Sequence, residues 1–295
     1  MKVAVFYYSQ SGQALNAVKS ICSVFQHVEY KQIVPLQDYP FPWNKDEFFD
    51  TFPETRLGIP PSGIKPMDFS DIEDADLVFV VGQSWFLSPS LPLQSFFADE
   101  QVRSYLKGRH VVFVNVCRNM WLMTGRKVKG YLKEMNARLI GHIVMQDNAP
   151  NLVSALTIVR WLLYGKKQPS WMLPGAGVSA SDISGASKFG EIILEACGNN
   201  DFSMLQEKLL SAGAIKYNPS ILFLEKMGHR MFGLWAKFIR MKGGFRDARR
   251  LTRVNLFFYY LLIVLFVVSP FAQLVFYLTW PLRRVGKHRL EDCSL

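Results

Sequence analysis

The sequence predicts an α/β protein: a doubly wound, five-stranded parallel sheet followed by a C-terminal amphipathic helix and a membrane helix. Three observations predict it. Short, nearly continuous apolar runs alternate with helical patterns over the first half of the chain, as expected of parallel strands covered on both faces. Charge is then strongly asymmetric. Residues 1–225 hold 21 Lys/Arg and 21 Asp/Glu, whereas residues 226–295 hold 13 and 3, so the whole net charge of +10 lies in the tail. Within that tail, residues 254–282 contain no charged side chain.

The strands are "KVAVFYY" (2–8), "VEYKQIV" (28–34), "ADLVFVVG" (75–82), "RHVVFVNV" (109–116) and "RLIGHIVM" (138–145). Helical patterns at 13–26, 91–106 and 125–136 separate most of them, and right-handed crossovers then place helices on both faces. The connection 35–68 is long and rich in proline and aromatics, with a short helix at 44–52. Its Phe and Trp content suits a lid over an apolar ligand or a cover for the sheet edge. Residues 152–164 read as one more apolar covering helix.

Ligands of open α/β sheets bind beyond the carboxyl ends of the strands, and three segments fall there. After the first strand, Ser9 to Leu15 supplies two hydroxyls (Ser9, Ser11), a turn at Gly12 and the N-terminus of a helix, where backbone N–H groups and the dipole favour an anion. An ordinary Ser/Gly turn is the alternative. After the third strand, Ser84, Trp85, Phe86 and Leu87 are expected to display aromatic rings on a turn before a helix begins at Leu91-Pro92. After the fourth, "NVCRNMW" (115–121) offers Cys117, Arg118, Asn119 and Trp121 for hydrogen bonding and stacking.

Other chemistry is sparse. Cys22, Cys117, Cys197 and Cys293 lie far apart and the five histidines are scattered, so reduced thiols, a cytoplasmic setting and no metal are expected. No GxGxxG fingerprint appears, which argues against a nicotinamide domain. Asp147, after the fifth strand, and Cys117 are the candidate proton acceptors. Asp182 reads as a helix cap, and His110 and His142 as structural.

The tail points to lipid. In "SILFLEKMGHRMFGLWAKFIRMKGG" (220–244), Leu224, Met227, Met231, Leu234, Trp235, Phe238 and Met241 recur at steps of three and four, with Lys226, Arg230, Lys237 and Arg240 between them. This is the pattern of an amphipathic helix on a membrane surface, or of one packed on the domain with a basic outer face. Residues 254–282 are long enough to span a bilayer. Tyr259, Tyr260, Tyr277 and Trp280 lie toward the ends, and Pro270 permits a kinked span or a re-entrant hairpin. Arg246, Arg249, Arg250 and Arg253 precede the run, and Arg283, Arg284, Lys287 and Arg289 follow it. That bias places the preceding domain in the cytoplasm. Because the aromatics sit inside continuous apolar runs, a nucleic-acid partner is not expected. The chain thus divides into a domain at 1–218, a basic surface helix at 219–253, an anchor at 254–282 and a basic tail at 283–295.

The three loops resemble those of the flavodoxin-like, FMN-binding family over residues 1–148. Its phosphate loop, S/T-x-T/S-G-x-T/S, is matched by Ser9, Ser11 and Gly12, while Ala14 replaces a hydroxyl. Trp85 and Pro89 match the W-x-x-x-P of quinone-reductase-type members. The resemblance implies FMN held by Ser9, Gln10, Ser11, Gly12, Gln13, Ala14 and Leu15 at one end, and by Ser84, Trp85, Phe86, Leu87, Cys117, Arg118, Asn119 and Trp121 at the other. The opening "VFYYSQSGQ", the "PWNKDEFFDTFPE" loop, "PSWMLPGAGVSASDISGASKFG" and the apolar tail are also similar to the bacterial dialkylresorcinol-condensing enzymes. That similarity implies an aromatase of the inner membrane, its domain on the cytoplasmic face. A partner ketosynthase would supply a dialkylcyclohexane-1,3-dione, and oxidation would yield the dialkylresorcinol of aryl-lipid pigments. A membrane NAD(P)H:quinone reductase and a membrane-tethered electron carrier are the competing expectations; the charge balance of residues 1–225 lacks the acidic face typical of a carrier.

Overall fold

The computed structural model describes residues 1–279. Its sheet is built from β1 (Lys2–Tyr7), β2 (His27–Gln32), β3 (Leu77–Trp85), β4 (Ser88–Pro89), β5 (His110–Cys117) and β6 (Arg138–Gln146). Five of these run parallel in the order β2-β1-β3-β5-β6. The sheet therefore has six strands rather than the five expected. The sixth, β4, folds back antiparallel on β3 through Phe86 and Leu87, both at positive φ (46° and 60°), as two-residue hairpins require.

Strand residues alternate between two covered faces, which explains their continuous apolar character. Val3, Val5, Phe79, Val81, Val112 and Val114 pack under α1 (Gln13–Ile21), and the cluster extends to Phe189 and Ile193 of α9 (Ser187–Gly198) and Leu205 and Leu209 of α10 (Leu205–Ser211). Ala4, Phe6, Val78, Val80, Val111 and Phe113 meet the opposite layer. That layer is α4 (Leu91–Ala98), α5 (Glu100–Leu106) and α6 (Leu122–Glu134). The single helix expected at 91–106 is broken at Asp99, whose extended backbone and side chain cap α5.

The 35–68 connection carries two helices, α2 (Lys45–Asp50) and α3 (Phe52–Leu57), and serves as a base for the tail rather than a free lid. Helix α11 (Pro219–Arg240) lays Phe232, Ala236 and Ile239 on Phe52. Its Met227, Met231, Leu234 and Phe238, and Met241 just past its end, remain exposed. One stripe of the helix thus packs on the domain, as one of the two readings of its pattern expects, and another faces outward.

The apolar helix runs without interruption over Ala248–Leu278, a length and composition sufficient to cross a membrane, with only 11% of its most apolar window buried. It comprises a short 3-10 turn, α12 (Leu251–Ile263), a π turn (Val264–Val268) and α13 (Ser269–Leu278). The π turn absorbs Pro270, and Ser269 Oγ donates to the Leu265 carbonyl at 2.8 Å. The described residues hold no re-entrant hairpin. Phe257 of α12 stacks on Phe52 at 3.7 Å. Arg250, expected at the lipid surface, is fully buried. It donates to Asp50 Oδ1 at 2.6 Å and to both Glu54 oxygens at 2.7 and 2.9 Å. Trp280, Arg283, Arg284, Lys287, Arg289, Cys293 and the expected tail at 283–295 lie outside the described residues.

Candidate functional site

The carboxyl edge of β1 leads straight into α1. Gly12 adopts φ 82° and caps the helix, and no atom lies within 4 Å of where its Cβ would stand. The Leu15 N–H donates to Ser9 Oγ at 3.3 Å. Ser9 and Ser11 are partly exposed, and the first-turn N–H groups of Gln13 and Ala14 have no intrahelical acceptor. Hydroxyls and free N–H groups at a helix N-terminus in this arrangement could cradle an anion.

The remaining residues of that loop face elsewhere. Gln10 Nε2 donates to the carbonyls of Tyr39 and Pro40, and its Oε1 accepts from Trp43 Nε1 at 3.2 Å. It thereby fastens the 35–68 connection over the loop. The buried Gln13 amide exchanges two hydrogen bonds with the Val178 backbone, at 2.8 and 3.3 Å. Gly177 makes this approach possible: at φ 81°, a Cβ there would stand 2.5 Å from Gln13 Oε1. Ala14 is fully buried in the core beneath the sheet. A hydroxyl at that side chain would point into the core, so of Ala14 only the backbone N–H is left to the cradle.

The segment after β3 differs most from expectation. Ser84 and Trp85 belong to β3 itself. Ser84 Oγ lies 2.9 Å from Asn115 Oδ1 and 2.8 Å from Thr124 Oγ1. Trp85 is only 6% exposed and meets Tyr8, Tyr39 and Trp43 edge to face. Phe86 packs among Phe48, Phe49 and Phe52, and Leu87 joins the same cluster. The hairpin turns these apolar groups inward because α2, α3 and the C-terminal helices offer an apolar partner; they are not displayed on a loop. Trp121 is likewise enclosed, with Leu122, Val144 and Leu222, so neither tryptophan presents an open stacking face.

The segment after β5 is polar and tightly organised. Arg118 donates to the Asn151 carbonyl at 2.9 Å and to Asn151 Oδ1 at 2.8 Å. Asn119 Nδ2 donates to the same Oδ1 at 2.9 Å. Burial lowers Arg118 to about 10, which leaves it cationic at neutral pH. Burial, reinforced by Glu225, pushes the Cys117 thiol well above its ordinary value, making it a poor proton acceptor. Asp147 is buried, with Oδ1 accepting from the Ala149 N–H and Oδ2 from Ser154 Oγ and the Gly177 N–H. Asp147 thereby holds α7 (Asn151–Tyr164) and the 177–178 turn in place. One hydrogen-bonded chain thus joins Gln13, the 177–178 turn, Asp147, α7, Arg118 and Asn119 across the sheet edge.

Two groups here were not read from sequence. Asn151 is the hub for Arg118 and Asn119, and nothing in its local pattern marks it. Glu225 is the single acidic residue within 220–244, which was a usable signal. It is fully buried and accepts the N–H groups of Leu122 and Met123 at 3.2 and 2.8 Å, capping α6 from α11. Desolvation raises it to about 7 against those hydrogen bonds. His142 is structural as expected, buried beside Phe113 and held down at about 4 by burial. Ser179, rather than Asp182, caps α8 (Ala180–Ser184): the Asp182 N–H donates to Ser179 Oγ, and the Asp182 carboxylate accepts from that hydroxyl.

Strand order β2-β1-β3-β5-β6 with a cradle after β1 defines a flavodoxin-like α/β protein. Among solved structures, the chain is similar to a flavoprotein from Lactobacillus acidophilus in complex with FMN, at 18% identity and TM-score 0.39, over 48% of this chain and 92% of that one. It is also similar to a flavodoxin from the domain Archaea (15%, TM-score 0.36, 67% and 99%). A third is a WrbA-like flavodoxin from Agrobacterium tumefaciens (10%, TM-score 0.40, 67% and 98%). No protein-family model and no curated protein matches the chain.

Proposed function

We propose that this chain is an FMN-dependent oxidoreductase at the cytoplasmic face of a bacterial inner membrane. It converts a dialkylcyclohexane-1,3-dione, supplied by a ketosynthase, to a dialkylresorcinol. One observation supports this reading above the rest: an anion cradle and a long apolar helix belong to the same domain, and that helix returns beside α11 next to the sheet edge, with Phe276 against Phe223. The cradle fits the phosphate end of FMN. Ser9 and Ser11 offer hydroxyls, Gly12 leaves the approach open, and the Gln13 and Ala14 N–H groups point at the anion. The enclosed Trp85 and Trp121 do not fit a stacking role, so the ring end is assigned to the polar loop after β5.

Aromatising the dione removes two hydrogens, one as hydride and one as proton. FMN, when bound, supplies the hydride acceptor. The chain's own part is placement. Arg118 and Asn151 fix Asn119, Asp147 fixes α7, and the exposed apolar stripe of α11 brings the domain to a lipophilic substrate. Purification in mild detergent is expected to give a flavin spectrum, and anaerobic mixing with the dione is expected to bleach it and release resorcinol. A chain that binds no flavin overturns the reading. Bleaching by NAD(P)H with no reaction toward the dione replaces it with a quinone reductase.

A further inference from the structure

Beyond the cradle, a cavity of about 270 Å³ opens between the loops after β5 and β6, the start of α11, and α13. No residue of Ser9–Leu15 lines it. Its walls combine amides and hydroxyls with Trp121, Ile221 and Leu222, and two lining residues, Asn119 and Gln146, hold buried side-chain oxygens without a hydrogen-bond partner among the described residues. Asn119 is 8% exposed. Its orientation is fixed by its neighbours. Arg118 can only donate, so the Asn151 atom that it reaches is Oδ1; Asn119 must then donate to that oxygen through Nδ2, which leaves Asn119 Oδ1 as the open acceptor. Burying an acceptor without a partner is unfavourable, so the cavity calls for a ligand that brings hydrogen-bond donors.

The charges select further. The charged groups on the lining are Asp147, whose oxygens are already engaged, and Lys216, 3.5 Å from Asp182. Among the described residues, no uncompensated cation lines the cavity to hold a phosphate or carboxylate head. One wall is the apolar helix itself, through Gln273 and Tyr277, with Leu274, Val275 and Leu278 exposed around them. We infer that this cavity seats the uncharged, hydroxyl-bearing head of an amphiphile, its hydroxyls donating to Asn119 and Gln146 while its alkyl chain runs out along α13. The cavity shares Asn119 with the loop to which the flavin ring end is assigned, and the choice of a ring as the head rests on that reading.

The test uses the full chain in detergent micelles, with 5-pentylresorcinol, its dimethyl ether and a monoacylglycerol as probes, followed by calorimetry. The diol is expected to bind at least about tenfold more tightly than the ether, which keeps the ring and both oxygens but carries methyl groups in place of the donor hydrogens. Asn119→Leu is expected to remove that preference, and the comparison of diol with ether on the unmodified chain needs no variant to fold. A diol bound no better than its ether, or unchanged in Asn119→Leu, overturns the inference. A monoacylglycerol that binds in place of the resorcinol, with the same dependence on Asn119, keeps the hydroxyl-head site and removes the ring. Flavin binding, scored separately by absorbance, distinguishes failure of this site from failure of the proposed reaction.

Discussion

Glu225 carries the sharpest consequence at the scale of one residue. It sits fully buried at the N-terminus of α6, where the dipole and two N–H groups favour a carboxylate, yet desolvation wins and raises it to about 7. A carboxyl raised in the folded state is protonated in both states below about 4.5, and folding there pays no ionisation penalty. Between about 4.5 and 7 the unfolded chain releases its proton while the folded chain keeps it, so stability falls as pH rises through that window. The loss is bounded by roughly 3 kcal/mol. Glu225→Gln is expected to flatten the fall of the thermal midpoint between pH 4.5 and 7, measured in detergent across that range; an unchanged slope would show that Glu225 ionises normally.

At the scale of elements, the strands were legible because burial on both faces leaves nothing but period and composition to read: β1, β3, β5 and β6 fall within three residues of their expected ends. The turn after β1 was legible for the same local reason, since Ser9, Ser11 and Gly12 need only the strand before and the helix after. What was not legible depends on distant partners. Trp85 and Phe86 look like display residues until α2, α3 and α12 are placed against them. Arg250 looks like one more interfacial cation until Asp50 and Glu54, about 200 positions earlier, are seen around it. That cluster ties the start of the apolar helix to α2 and α3. Because Asp50 and Glu54 are almost fully buried, Arg250→Leu leaves Asp50 without its cation and Glu54 with Arg240 as its remaining ion-pair partner. It is expected to destabilise the detergent-solubilised chain by about 3–5 kcal/mol in denaturant titration. The additional replacement of Asp50 and Glu54 by Asn and Gln is expected to recover part of that loss; no recovery would show that Arg250 acts through packing alone.

For the whole molecule, the question is how a basic, half-apolar tail sits relative to a bilayer. A 31-residue helix is about 46 Å long, and its composition suits a crossing. Its contacts suit a different placement. Near its start, Lys45 Nζ donates to Asn255 Oδ1 at 3.0 Å; near its end, Tyr277 Oη lies 3.3 Å from Ser220 Oγ and Phe276 packs on Phe223. Asn255 and Tyr277 are about 33 Å apart along the axis, close to the ~30 Å thickness of the hydrocarbon core. In a perpendicular span they would lie at opposite faces of the bilayer, yet both touch one domain. The exposed Met231, Leu234 and Phe238 of α11 and Phe271 and Leu274 of α13 add apolar surface on two helices that contact one another. At a bilayer, a helix lying in the interface beside its domain would satisfy both contacts. In membranes containing the full chain, Ser220→Cys with Tyr277→Cys is expected to be joined by a short bismaleimide, the linked peptides being identified by mass. A perpendicular span holds those positions apart by most of the bilayer, and absence of the 220–277 link while Lys45→Cys and Asn255→Cys still react together would establish the crossing instead.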